Sequence, residues 1–140
     1  MADNTVSQAV APGREPPVTA TLVLYVLFIV AAIMALIAHG FPLIAPLFGI
    51  VGIVAIIFAY VKRDDAQGTW VASHLRWLIR TFWFSLLWAA IGGLILVTLG
   101  LILIGIPIAF LVWIADTLWV FYRLIRGIVL FNQSRPVPGM

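Results

Sequence analysis

The chain predicts an all-α integral membrane protein, a four-helix bundle of two helical hairpins with an amphipathic interfacial segment before the third span. Three observations carry that expectation. Uncharged apolar runs recur that are long enough to cross a bilayer core of ~30 Å at ~1.5 Å per residue. The composition is 64% hydrophobic and 9% charged, with a mean hydropathy of +1.19, whereas ordinary globular chains are roughly a quarter charged. The long polar interval Tyr60–Arg80 divides the chain into two apolar halves and holds four of the eight Lys and Arg residues. A water-soluble domain of 140 residues could not cover so much apolar surface.

Composition also excludes several functions. The pI near 10 comes with a net charge of only +3, and the basic residues flank apolar runs. Such placement suits juxtamembrane anchoring and not a phosphate-tracking face, so no nucleic-acid partner is expected. The absence of Cys removes disulfides and thiolate chemistry, and two His are too few for a His-based metal site.

Residues Met1–Pro17 are small, polar and Pro-containing, the composition of a disordered tail. The competing reading, a cleaved signal peptide, is opposed by the length of the next apolar run and by Leu36 before Ala38. Thr21–Ala38 forms the first span, ended by the turn His39-Gly40-Phe41-Pro42, and Leu43–Val61 forms the second. Ala31, Ala35 and Ala38 on the first, and Ala45, Gly49, Gly52 and Ala59 on the second, recur at helical spacing. Small residues let backbones approach in lipid, so a close hairpin is expected.

Lys62-Arg63-Asp64-Asp65 closes the second span, Gln67-Gly68 turns the chain and Thr69 is placed to cap a helix. Over 69–80, Trp70, Val71, Leu75, Leu78 and Ile79 take one helical face while Ser73, His74, Arg76 and Arg80 take the other, the pattern of a helix in the interface plane, either separate from the next span or running into it without a break. Phe82 to Ala115 carries no charge. As one helix it would reach about 50 Å, too long for one span. It therefore divides at Gly100, Gly105 and Pro107 into spans over about 81–99 and 107–126. Ser85, Ala89 and Gly93 mark a packing face on the third span. Arg123 and Arg126 close the fourth, and 132–140, with Pro136 and Pro138, reads as a flexible tail.

Four spans put both ends and the central segment on one side, where all eight Lys and Arg fall. The positive-inside rule makes that side cytoplasmic, with Tyr60, Trp83, Trp119 and Tyr122 as an aromatic belt.

Two groups of residues could carry function. Asp116 is the ionisable residue inside a span, about 9 Å below Tyr122. Carboxylates at such depth mark ion or proton paths; the plainer reading is a structural bond from a neighbouring Trp or Arg, or a neutral acid. Arg123, two turns further on, lies about 10 Å away and beyond direct contact. The second group is Trp70, His74, Arg76, Trp77 and Arg80, read either as a lipid- or partner-docking face or as simple interfacial anchoring. His39 falls in the outer turn. No nucleophile–base pair, phosphate loop or metal-ligand spacing occurs, so no catalytic, cofactor-binding or metal-ligating residue is assigned and a non-enzymatic role is expected.

Two spans, a charged loop, the segment SHLRWLIRTFW, two more spans and the ending FNQSRPVP resemble a family of small bacterial membrane proteins. That family is distantly related to the protein-import component of the chloroplast inner envelope, the Tic-twenty-like family. The likeness covers about Leu22–Pro138 and rests on His74 and Arg76 and on the Arg123, Asn132 and Pro138 ending; Leu78 stands where members often carry Gln. The resemblance implies a four-span protein of the bacterial inner membrane. The expected function is an interaction, assembly or translocation-related subunit, docking membrane-protein partners or lipid, with an oligomeric transporter or channel around Asp116 as the alternative.

Overall fold

The computed structural model describes residues 15–38, 45–99 and 102–138, and its regular elements are four helices. They are α1 (Val18–Ala38), α2 (Ala45–Arg63), α3 (Val71–Leu99) and α4 (Gly105–Asn132). The expected outer turn with His39 and the breaker Gly100 lie outside the described residues, as does most of the N-terminal tail. Three of the helices, α1, α3 and α4, are long and apolar enough to cross a membrane. Their outward faces agree: Leu94, Val97, Leu111 and Leu118 are 64–74% exposed, an arrangement that water would penalise and lipid accepts.

α3 packs most extensively on α4, and α1 on α2, as two hairpins; α1 also meets α4 and α3, and α2 meets α3. Of the two forms the sequence leaves open for the segment over 69–80, a separate interfacial helix or one continuous with the span beginning at Thr81, the structure has the continuous one. α3 runs unbroken for 29 residues, about 43 Å at ~1.5 Å per residue, so its first turns extend past a ~30 Å core. The reason is phase. Val71, Leu75, Leu78, Phe82, Ser85, Ala89 and Gly92 form one inward stripe at helical spacing, and no residue in that stretch is a breaker until Gly92. Thr69 does not cap α3: its hydroxyl donates to the Ala66 carbonyl at 2.7 Å within the turn that Gly68, at φ +79°, completes.

The 132–140 segment, expected to be flexible, folds back on the bundle as far as Pro138. Ser134 takes the left-handed conformation (φ 52°), and the N–H groups of Arg135 and Ser134 bond the carbonyls of Leu130 and Phe131 at 3.0 and 2.9 Å. This pattern closes a helix C-terminus and reverses the chain. Val137 is then buried, with its N–H on Ser73 Oγ at 3.1 Å.

The core lies in one half of the bundle. Leu24, Tyr25 and Phe28 of α1 meet Ala55, Ile56 and Ala59 of α2, Val71, Leu75 and Leu78 of α3, and Val120, Leu124 and Phe131 of α4. These come from the start of α1, the end of α2, the start of α3 and the end of α4, the end at which the described Lys and Arg residues gather.

Candidate functional site

Within the packed half, His74 is fully buried and not on a polar face with Arg76 and Arg80, which are exposed. Its Nε2 lies 2.7 Å from the Arg135 carbonyl oxygen and its Nδ1 2.8 Å from Tyr25 Oη. A carbonyl can only accept, so Nε2 carries the proton and Nδ1 of the neutral ring accepts from the tyrosine hydroxyl. The rings of Tyr25, Trp70 and Phe131 surround the imidazole edge-on, at centroid distances of 5.3–6.0 Å. Gly127 makes the arrangement possible, because a Cβ there would collide with the Tyr25 ring and hydroxyl. His74 thus joins α1, α3 and the C-terminal segment. A lone His in an amphipathic pattern satisfies the polar face of a helix equally well, so only the α1 and tail partners reveal its position.

Beside it, Arg123 is held in a frame built by α3 and α4. Its guanidinium carbon stands 3.6 Å from the Trp77 ring centroid and 4.8 Å from that of Trp119, within cation–π range. Its Nε donates to Thr81 Oγ1 at 2.8 Å, while Trp77 Nε1 donates to the Arg123 carbonyl at 3.0 Å. Trp77 is therefore buried structure and not a surface anchor.

Toward the other end the helices stand apart around a cavity of about 780 Å³. Its walls are apolar. Ala31, Ala35, Gly49 and Gly52 of the first hairpin face Phe110 and Trp113 of α4 across it. Of the expected small stripes, Ala38 and Ala59 are buried and a Cβ on Gly52 would meet the Phe82 ring at 3.7 Å, whereas a Cβ on Gly49 would meet nothing within 4 Å. On α3 the packing residue is Gly92 and not Gly93. Trp113 lies where a Gly92 side chain would stand, and its Nε1 donates to the Ala89 carbonyl at 3.3 Å.

Asp116 sits in the wall of this cavity. Ser85 Oγ donates to its Oδ2 at 2.9 Å, and its Oδ1 is covered and without a hydrogen-bond partner. Neither a Trp N–H nor an arginine supplies the bond. As expected, Arg123 makes no contact with it, being committed to Trp77, Trp119 and Thr81. The Ser85 partner was legible only as a small residue on the expected packing face. Its hydroxyl gained meaning once the α3–α4 register brought it opposite Asp116. Among the described residues no cluster of His or carboxylates could hold a metal ion.

The fold and site thus define an all-helical membrane protein with a polar-tied, basic end and a hollow half that contains one carboxylate. No protein-family model, no characterised protein and no solved structure matches the chain.

Proposed function

We propose that the chain is a non-enzymatic, four-span inner-membrane protein with both ends cytoplasmic, acting as an interaction or assembly subunit that receives an apolar transmembrane segment of another protein in its hollow half. The carrying observation is the cavity between the hairpins, walled by Ala31, Ala35, Gly49 and Gly52. In lipid, helices associate by close packing on small residues, and among the described residues a Cβ on Gly49 would meet nothing within 4 Å. The four-span reading is supported by α2, whose stretch from Ala45 to Val61 is uncharged and ends in Lys62 and Arg63, as α4 approaches its end through Arg123 and Arg126. The resemblance to the Tic-twenty-like family favours the same role by analogy.

Photo-crosslinking in living cells tests it, with probes at Ile53 in the cavity wall and at Ile125 on the outer face of α4. A discrete protein adduct at Ile53 and none at Ile125 supports the docking role; lipid alone at both positions rejects it. Asp116 favours a second reading, transport, because one of its oxygens is unpartnered beside the cavity. A wild-type phenotype for Asp116→Leu at normal protein level would sink that reading.

A further inference from the structure

The C-terminal segment is held on the start of α3 through its main chain. Two neighbouring side chains hold it: His74 Nε2 donates to the Arg135 carbonyl at 2.7 Å, and Ser73 Oγ accepts from the Val137 N–H at 3.1 Å. The polarity of each is fixed from behind. The Ser73 hydroxyl donates to the Trp70 carbonyl at 2.8 Å, so its oxygen meets the tail as an acceptor. The Tyr25 hydroxyl, 2.8 Å from His74 Nδ1, occupies that nitrogen and leaves the proton on Nε2. One donor and one acceptor therefore stand side by side, each oriented by a bond inside the bundle.

The groups they meet belong to residues two apart, which an extended chain turns to the same side. Pro136 lies between them and has no N–H to leave unpaired. Side-chain recognition is confined to one position: Val137 is 4% exposed, while Arg135, Pro136 and Pro138 are exposed. The site thus reads backbone spacing and one small branched apolar side chain. An extended segment of any other protein with that pattern presents the same groups.

The tail is a weakly held occupant. One buried side chain and two bonds work against the entropy lost in ordering each docked residue. Ser134, in the left-handed region at φ 52°, adds backbone strain where the segment leaves α4. Segments with so few buried contacts open locally at low free energy.

We propose that the first turn of α3 is a binding site for an extended peptide segment of a partner protein, held in the resting chain by residues 135–137 and vacated when that segment displaces them. The ligand must offer an unpaired carbonyl and, two residues on, an unpaired N–H with a valine-like side chain. This selects an extended segment over a helix, whose main-chain groups are bonded within itself. The site differs from the docking face expected from the sequence: it keeps His74, adds Ser73 and uses neither Arg76 nor Arg80. It is independent of what the hollow half receives.

The test uses the full chain in mixed micelles and a synthetic peptide of residues 133–138 whose valine is replaced by a diazirine-bearing analogue. Val137→Asp frees the site without shortening the chain. A tethered tail competes at an effective concentration on the order of mM, so at lower peptide concentration Val137→Asp should give about tenfold more photo-adduct than the wild type, at the first turns of α3. Methylating the peptide nitrogen that Ser73 accepts from should return labelling to the wild-type level. Ser73→Ala combined with Val137→Asp should lower labelling as far, and methylation should then change nothing further. Val137→Ala, a milder release, should give an intermediate yield with the same dependence on methylation, which keeps the test decisive should Val137→Asp fail to fold. Equal labelling of the wild type and Val137→Ala would overturn the proposal. So would labelling that ignores methylation, or adducts spread along the lipid-facing helix surfaces.

Discussion

At the basic end, Tyr25, His74, Ser73 and Trp77 are each bonded across helices or to the folded-back tail, and the apolar side chains around them are close to fully buried. In the hollow half Ala31, Ala35 and Gly49 line the cavity, and the polar contacts between helices include the Ser85–Asp116 bond and the long Trp113–Ala89 bond. The contrast separates two jobs. Many satisfied, buried bonds make a segment costly to open, whereas sparse contacts leave it adaptable. The basic half is thus the more firmly tied part of the bundle.

Substitutions can break this comparison, and the largest effect belongs to Tyr25→Ala. It removes a fully buried ring and orphans His74 Nδ1, which should cost ~3–5 kcal/mol in a reversible unfolding titration in mixed micelles. Next come the two glycines with close neighbours. Gly127→Ala drives a methyl into Tyr25 and Gly92→Ala drives one into Trp113, each expected to cost ~1–3 kcal/mol in the same assay. The Gly127 penalty should shrink in the Tyr25→Phe background, which removes the nearest atom; an undiminished penalty would mean that the clash is not with the hydroxyl.

Smaller changes sharpen the picture. Tyr25→Phe alone should cost about 1 kcal/mol or slightly more, since the imidazole nitrogen loses its donor while the packing stays. Ser134→Gly should instead stabilise by ~1 kcal/mol, because a left-handed residue closes α4 and glycine adopts that conformation freely. In the hollow half, Gly49→Ala should be neutral to stabilising by up to ~1 kcal/mol: the new methyl meets nothing, and alanine favours helix. A clear loss at Gly49 would show that the small stripe is packed, and the contrast between the halves would collapse. Because the chain contains no cysteine, single cysteines can map the same boundary. Ile53→Cys should react readily with a small maleimide, and Leu78→Cys, fully buried, should resist it.

Much of the fold was legible because hydropathy and length act locally. Each apolar run from Thr21 onward announced a helix, and the breakers near Gly105 and Pro107 marked the start of α4 to within two residues. At Thr81 a break and a continuous helix are both compatible with the sequence, and the helix is continuous for a definite reason. The arginines at 76 and 80 suggested a change of environment, but the inward stripe from Val71 to Gly92 never changes phase, and a helix ends only where its hydrogen bonds or its packing do. The candidate residues were harder to place. His74 and Arg80 occupy similar polar slots in sequence, yet one is enclosed by Tyr25, Trp70 and Phe131 and the other is exposed.

By itself the sequence determined that the chain is helical, that it belongs in lipid and that its positive charge gathers at one end, because each of these follows from residue type and spacing along a single segment. Tertiary structure alone decided which polar groups meet. Nothing local couples Tyr25 to His74 across 49 positions, Ser85 to Asp116 across 31, or Thr81 to Arg123 across 42. Those pairings, and the cavity left where no pairing forms, depend on the register between helices, which is set by the sum of many small packing contacts and by no individual residue.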